Sequence, residues 1–448
     1  MSMPTTASSI GLRRSLGLAA LTLFGVGDIL GAGVYGLVGR IAGMVGHAAW
    51  MSYVVAGFMA ALTGLTYAEL SSRFPRAGGA AFFCKQAFRS SLVTFLVMVS
   101  VTLSGLFSMA TASRVFADYA TARLPDLPSW VQTGALPAGF ILILSLVAIR
   151  GIQLSSGTNV VCTVIELGGL LAIIAIGLHG IGSVDYFDFA TTARPEPIPV
   201  MILGGASLAF FAFVGFEDLV NLSEEVHNPE RTVPLAICLS IVITGVIYCA
   251  IAVISVSVLS PEALGASKSP LLDVVRQAAP GFPVWIYTVI PGFAVFNTAL
   301  LNLMMSSRLL YGMSKAESHL VPAAFGWIHP RWQTPAVGVA FSAVVVAILL
   351  FAFADIKTLA SGTATFLLAV FILLHTGLLR IKRDPTLPLP RFRVPTLIPV
   401  LGAITGLLLL VRQDLKALAA AGLLTVAALV LYGVVRLARG PLKVKALD

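Results

Sequence analysis

Three acidic side chains stand deep inside hydrophobic stretches of the chain. Asp28, Glu166 and Glu217 lie in apolar runs that contain no Lys or Arg at comparable depth. An ionised acid at the centre of a membrane costs about 2.5–3.5 kcal/mol on insertion scales, so it normally marks the path of an ion or a substrate. Without a basic partner, these acids are expected to bind a cation or to hold protons.

Two of these acids belong to glycine-interrupted segments. Residues 24–36 read Phe-Gly-Val-Gly-Asp-Ile-Leu-Gly-Ala-Gly-Val-Tyr-Gly, and residues 210–218 read Phe-Phe-Ala-Phe-Val-Gly-Phe-Glu-Asp. Glycine costs a helix about 1 kcal/mol relative to alanine, and such segments in the two halves of a chain indicate a transporter's central site. The pattern therefore predicts two broken helices around a binding site. Close packing of helices through small residues is the alternative interpretation.

The amino-acid composition indicates that most of the protein surface faces lipid rather than water. Of the 448 residues, 58% are hydrophobic and 11% are charged, and the mean hydropathy is +0.95. Soluble domains carry about 25% charged residues, so this chain cannot cover a water-facing surface, and no soluble catalytic domain remains to be placed. The long apolar runs are typical of membrane helices rather than of barrel strands.

The hydrophobic runs predict an all-α integral membrane protein with about twelve transmembrane helices, each of ~20 residues. The predicted spans are 16–38, 46–72, 88–118, 132–149, 157–179, 198–221, 232–258, 281–312, 335–353, 357–380, 394–411 and 415–437.

The basic residues predict the orientation of these helices. With a cytoplasmic N-terminus, most of the 29 Lys and Arg residues fall on the cytoplasmic side, as the positive-inside rule requires. We therefore expect a multi-pass protein of the cytoplasmic (inner) membrane, with both the 1–15 tail and the 438–448 tail in the cytoplasm. The net charge of +9 is then a topological signal, and nucleic acid is not an expected partner.

Four blocks of sequence resemble the amino acid–polyamine–organocation permeases. They are residues 25–35, residues 67–79, residues 211–217 with the acidic and proline-containing continuation to residue 234, and residues 307–335. The blocks stand in family order. The residues of these blocks are most similar to those of the cationic amino acid transporters and their bacterial relatives.

The resemblance implies a LeuT-type fold of two inverted five-helix repeats, with helices one and six discontinuous. The first repeat would cover residues 16–180 and the second residues 198–380, and residues 394–437 would add helices eleven and twelve. At the cytoplasmic end of helix two, Glu69 is expected to form inner-gate ion pairs with Arg73 and Arg76.

The two breaks would bind a zwitterion through the backbone. Free N–H groups at residues 31–33 suit a carboxylate, because they begin the outer half-helix, and the carbonyls before the break suit an ammonium. Phe211 and Phe216 are candidate gate or pocket residues, with ordinary apolar packing as the alternative. The predicted substrate contacts are Asp28, Ile29, Gly31, Ala32, Gly33, Phe211, Ala212, Val214 and Phe216.

Glu166 is the main candidate for ion coupling. Proton-coupled bacterial relatives carry a lysine at the matching position, so a carboxylate here departs from the family pattern. It could take up a proton, which we favour, or ligate sodium. Asp28 could share its proton or meet a substrate amine, and Asn297 and Thr298 could face the ion site. Glu217 matches a family acid that acts in gating.

The sequence thus predicts a secondary transporter that imports amino acids by alternating access and proton symport. The alternatives are an exchanger of cationic amino acids or polyamines and a receptor that binds an amino acid without transport. No catalytic triad, metal-ligand spacing or phosphate loop occurs in the sequence, so we expect neither an enzyme nor a cofactor other than the coupling proton or sodium. The expected partners are an amino acid and membrane lipid, and the sequence carries no signal for oligomeric state.

Overall fold

A computed structural model describes residues 16–76, 78–122, 124, 126–150, 156–189, 196–315, 321–353 and 355–439. The predicted tail 1–15 and residues 440–448 of the predicted tail 438–448 lie outside these residues, whereas residues 438 and 439 belong to the last helix. The described chain is helical, and its one bridge of extended backbone joins Leu16 to Val226. The sixteen α-helices are α1 (Leu18–Ile29), α2 (Ala32–Val45), α3 (Ala49–Arg73), α4 (Gly79–Phe88), α5 (Ser91–Thr121), α6 (Leu136–Ile149), α7 (Ser156–Gly177), α8 (Ile198–Ala209), α9 (Pro229–Val258), α10 (Pro261–Ala266), α11 (Pro270–Ala278), α12 (Val284–Lys315), α13 (Ala336–Ala352), α14 (Ile356–Ile381), α15 (Leu397–Val411) and α16 (Leu415–Arg439).

These helices make the chain an all-α membrane protein. Nine helical segments of the described chain are long and apolar enough to cross a membrane, and three shorter apolar helices, α1, α13 and α15, add to them. Each predicted span coincides with one helix or with a broken pair. The first span is the pair α1 and α2, and the sixth is α8 followed by two 3₁₀ segments, Phe210–Phe213 and Phe216–Glu225. The short helices α4, α10 and α11 were not predicted.

The helices that carry the breaks pack with one another. α3 runs along α9, α1 lies on both α9 and α7, and α8 contacts α2 and α3. The backbone of Leu16 also joins the two broken spans, since its N–H donates to the carbonyl of Glu225 at 3.0 Å and its carbonyl accepts the N–H of His227 at 2.9 Å. α5, α12 and α14 pack together on the other side of the breaks.

A buried carboxylate fastens α3 to the end of α14. Glu69 is fully buried, and its Oε1 accepts hydrogen bonds from the Arg73 guanidinium at 3.1 and 3.3 Å. Its Oε2 accepts from Lys382 Nζ at 2.6 Å and from the N–H of Val394 at 2.9 Å. Lys382, rather than the predicted Arg76, is therefore the second base. We call this set of contacts the Glu69 clamp.

The same end of α3 holds the α14–α15 connection in place. The hydroxyl of Ser72 accepts the N–H groups of Arg391 and Phe392 at 3.0 and 2.9 Å, and Arg73 donates to the carbonyl of Pro388 at 3.1 Å. Because both oxygens of the buried Glu69 have donors, these contacts hold the C-terminal ends of α3 and α14 together.

Replacing Glu69 by glutamine should destabilise the protein strongly. The substitution leaves the charges of Arg73 and Lys382 buried without their counter-ion, and breaking a buried pair in this way costs about 3–5 kcal/mol. The free energy of unfolding in mixed micelles measures the effect. The control is Glu230→Gln, which removes a largely exposed ion pair with Arg391 and should cost less than about 1 kcal/mol. Equal losses in the two variants would contradict the clamp.

Candidate functional site

Both predicted breaks are present. α1 ends at Ile29, Leu30 is extended, and α2 begins at Ala32. In the sixth span the 3₁₀ segment ends at Phe213, Val214 is extended, and Gly215 has a φ of +131°, a conformation that favours glycine. The backbone of each span is thus unwound within the span, as the glycine pattern predicts.

The two breaks pack directly against each other through glycine. A Cβ on Gly33 would lie 2.5 Å from the Cα of Ala212, and a Cβ on Gly215 would lie 2.7 Å from the carbonyl oxygen of Asp28. Any side chain at either position would push the two spans apart. These glycines therefore lie at the predicted breaks and also allow close packing of the two spans, so both interpretations apply.

Tyr248 of α9 links the two breaks by hydrogen bonding. Its buried hydroxyl lies 2.8 Å from the carbonyl oxygens of both Ile29 and Ala212, which share its single O–H donor. These are two of the carbonyls that the sequence assigned to a substrate ammonium. The sequence gave no reason to single out Tyr248, because a tyrosine in an apolar helix has no distinctive local pattern.

A small cavity lies at the breaks, and we call it the central cavity. It has a volume of about 50 Å³, well below the roughly 300–1,000 Å³ of ligand pockets, so the site is contracted in this conformation. The predicted residues that line it are Asp28, Ile29, Gly31, Ala32, Gly33, Phe211, Val214, Glu217 and Thr298.

Four predicted residues lie away from the central cavity. Ala212 packs behind it against Gly33. Phe216 is fully buried in an aromatic cluster, with ring centroids 6.0 Å from Tyr67 and 5.8 Å from Phe371. Glu166 and Asn297 are also buried outside the lining.

The structure adds polar residues from α5 and α12 that the sequence analysis did not single out. Ser104 and Ser108 of α5, and Asn302 and Ser306 of α12, line the central cavity. Their spacing is informative, because residues four apart share one face of a helix. Together with Thr298, the α12 residues form a polar stripe that periodicity could have revealed.

The central cavity is acidic. Asp28, Glu217 and Asp218 all line it, and no Lys, Arg or His is among its lining residues in the described chain. Glu217 Oε2 accepts the N–H of Gly215 at 2.9 Å, so this acid also caps the break. Asp218 Oδ1 accepts from Asn221 at 3.1 Å, and Asp28 Oδ2 has no partner among the described residues.

Glu166 is buried in α7, behind the first break. Thr163, one turn earlier, faces Gly27 of α1 so closely that glycine is required there. Both carboxyl oxygens of Glu166 and both amide atoms of Asn297 lack a hydrogen-bond partner within the described chain. An isolated buried carboxylate is very unfavourable, so this position requires either a proton or a cation.

Substituting Gly33 by alanine should disturb the contact between the breaks. The added methyl group overlaps Ala212, and overpacking of this kind costs about 1–3 kcal/mol. Thermal unfolding in detergent should show a lowered transition temperature. Gly139→Ala in α6 is the matched control, because nothing lies within 4 Å of a Cβ there, and it should be neutral or stabilising. An unchanged transition in Gly33→Ala would exclude the close contact.

Comparisons of the sequence with known proteins match most of the chain. The profile of the amino acid permease family matches residues 16–433. Cationic amino acid transporter 9, chloroplastic, of Arabidopsis thaliana is 30% identical over 343 residues, which are 72% of this chain and 59% of the relative. Cationic amino acid transporter 4 of Homo sapiens is 30% identical over 411 residues, 86% of this chain and 63% of the relative.

A bacterial relative matches over more of its own length. The methylthioribose transporter of Bacillus subtilis is 26% identical over 416 residues, which are 89% of this chain and 88% of the relative. In contrast, the chain spans about three fifths of the length of the cationic amino acid transporters that it matches.

Proposed function

The chain belongs to the amino acid permease family, and on this premise we propose that it carries amino acids with a positively charged side chain across a cytoplasmic membrane by alternating access. The observation that carries the proposal is the acidic lining of the central cavity, where Asp28, Glu217 and Asp218 stand without a basic residue among the described lining residues. A neutral substrate would leave these acids without a counter-charge.

The first break supplies the site for the substrate carboxylate. The first N–H groups of α2, at Ala32 and Gly33, have no partner within their helix, and both residues line the central cavity. The positive end of the helix dipole lies at the same place. The α-carboxylate therefore binds at the start of α2, with no need of a basic side chain.

The acidic side chains then bind the amino groups of the substrate. Asp28 Oδ2 is free of protein partners in the described chain and stands one turn before the break, where the α-ammonium would lie. Glu217 and Asp218 are placed on the far side of the second break, within reach of a cationic side chain. The names of the Arabidopsis thaliana and Homo sapiens relatives, cationic amino acid transporters, support this substrate class.

We propose that Glu166 binds the coupling ion. A buried carboxyl group without hydrogen-bond partners is neutral when it holds a proton, and exchange of that proton between the two faces of the membrane would couple transport to the proton gradient. Sodium bound by Glu166 is the alternative ion, and no other cofactor is proposed. The proposed mode is import by proton symport, and exchange of amino acids or polyamines is the competing mode. Both termini are expected in the cytoplasm, because the positive-inside rule predicts that orientation.

Asp218→Asn should weaken selectively the transport of L-arginine. Radiolabelled uptake into proteoliposomes should show a KM for L-arginine raised about tenfold, as expected when a charge-assisted contact is lost, while uptake of L-leucine changes little. Asp126→Asn, an exposed acid outside the central cavity, is the control and should leave both unchanged. Equal transport of L-arginine and L-leucine by the unsubstituted protein would overturn the proposed substrate class.

Glu166→Gln should remove the response of uptake to a pH gradient while binding of L-arginine stays measurable. Glutamine keeps the shape of the side chain but cannot exchange a proton. Uptake by the unsubstituted protein and by the control Glu230→Gln should rise when the outside is made acidic. A pH response that persists in Glu166→Gln would remove this residue from the coupling. Uptake only into vesicles preloaded with substrate would instead establish exchange, and binding without either flux would establish a receptor.

A further inference from the structure

Two exposed arginines stand at the end of the helix bundle that carries the Glu69 clamp. Arg150 follows α6, and Arg331 lies in the connection between α12 and α13. Neither guanidinium has a hydrogen bond or an ion pair within the described chain. The start of α13 lies at the same end of the bundle as the end of α14, because these two consecutive spans run in opposite directions. We call Arg150 and Arg331 the arginine patch.

Backbone contacts bring the two arginines together. The hydroxyl of Thr334 donates to the carbonyl of Ile149 at 2.7 Å, next to Arg150. The connection also closes on itself, since the N–H of His329 donates to the carbonyl of Thr334 at 2.9 Å. Arg331 lies within this closed loop, and its Cα is at most about 11 Å from that of Thr334. The two long side chains therefore start close enough to reach one phosphate group.

Aromatic side chains order the loop that carries Arg331. His329 Nδ1 accepts the N–H groups of Arg331 and Trp332 at 3.2 and 3.4 Å, and its ring stacks on Trp332 with 4.3 Å between centroids. Trp327 meets the same imidazole edge to face at 5.6 Å, and its indole is exposed. Tryptophan is enriched where the membrane meets water, so this loop has the composition of an interfacial segment.

The arginine patch continues two apolar surfaces. Leu142 and Leu146 of α6 are exposed, and their spacing of four places them on one helix face with Arg150. Phe341 and Val344 of α13 are exposed as well, and α13 packs against α6. In a membrane these faces contact the acyl chains of lipids. The arginines at their end then stand at the depth of the lipid headgroups.

The surroundings of the arginine patch are basic. The helices α6, α12 and α13 and the described part of the α12–α13 connection, residues 321–335, contain no Asp or Glu. Arg308 of α12 is exposed and adds a further positive charge at this end. The positive-inside rule predicts that this end is cytoplasmic, and cytoplasmic leaflets carry the anionic lipids that attract basic residues.

We propose that the arginine patch binds the headgroup phosphate of one anionic phospholipid, whose acyl chains lie along the exposed faces of α6 and α13. Guanidinium groups suit this role, because they donate two parallel hydrogen bonds to a phosphate. Free phosphate shares this chemistry, but the lipid fits better because apolar faces lead away from the arginines. None of the patch residues lines the central cavity, so the site is separate from that of the substrate.

Tryptophan fluorescence can measure this binding on the full chain. The protein is reconstituted in vesicles of phosphatidylcholine, a fraction of which is replaced by phosphatidylglycerol with brominated acyl chains, since bromine quenches nearby indoles. Of the five tryptophans, Trp327 and Trp332 lie beside the arginine patch. The other three, Trp50, Trp130 and Trp285, stand at the N-terminal ends of spans whose C-terminal ends lie at the end of the patch. We expect stronger quenching by brominated phosphatidylglycerol than by an equal fraction of brominated phosphatidylcholine.

Arg150→Gln and Arg331→Gln should each weaken the preference for phosphatidylglycerol about fivefold, which corresponds to about 1 kcal/mol per basic residue near an anionic surface. Thermal unfolding should be unchanged, because neither guanidinium has a partner within the described chain. Arg383→Gln is the matched control. Arg383 is an exposed arginine that follows α14 at the same end of the bundle, and its replacement should leave the preference intact.

Four outcomes would overturn the lipid site. They are equal quenching by the two brominated lipids, an equal loss of preference in Arg383→Gln and Arg150→Gln, and a preference that persists when Trp327 and Trp332 are both replaced by phenylalanine. The fourth is a preference abolished by inorganic phosphate at matched ionic strength, which would assign the patch to a free anion. None of these outcomes bears on the proposed function, because uptake of L-arginine is measured separately.

Discussion

The contact between the two unwound segments is the feature on which the rest of the site depends. A backbone that leaves the helical conformation inside a membrane must find partners for its polar groups within the protein. Here the two breaks face each other across Gly33 and Gly215, and one carbonyl from each shares the hydroxyl proton of Tyr248. Residues of both unwound segments line the central cavity, where we propose that the backbone binds a zwitterion.

Two buried glutamates show how the same residue type serves structure in one place and chemistry in another. Glu69 accepts four hydrogen bonds from two bases and a backbone N–H, so its charge is compensated and its position is fixed. Glu166 is buried to the same extent and has no hydrogen-bond partner in the described chain. Because a buried charge without partners is costly, Glu166 requires a bound proton or cation, and we propose that it exchanges one. Glu69 instead holds α3 and α14 together.

The central cavity combines acidic side chains with a helix N-terminus. In the proposed mode of binding, the backbone therefore meets the anionic group of the substrate, and the acidic side chains meet its cationic groups. The Glu69 clamp and the Leu16 pairing join helices that pack around the two breaks.

The sequence by itself determined the membrane-spanning helices and the places where two of them break. Both properties are local: apolar length sets the spans, and glycines at 31, 33 and 215 mark the unwound backbone. It also located the acidic residues within the hydrophobic spans, because an acidic residue inside a long apolar segment can be recognised from the sequence alone. Only the tertiary structure decided that Tyr248 occupies the carbonyls of Ile29 and Ala212, that Lys382 rather than Arg76 completes Glu69, and that Phe216 lies outside the cavity. These contacts join residues far apart in the chain, and helix packing, which no local pattern encodes, sets the distances between them.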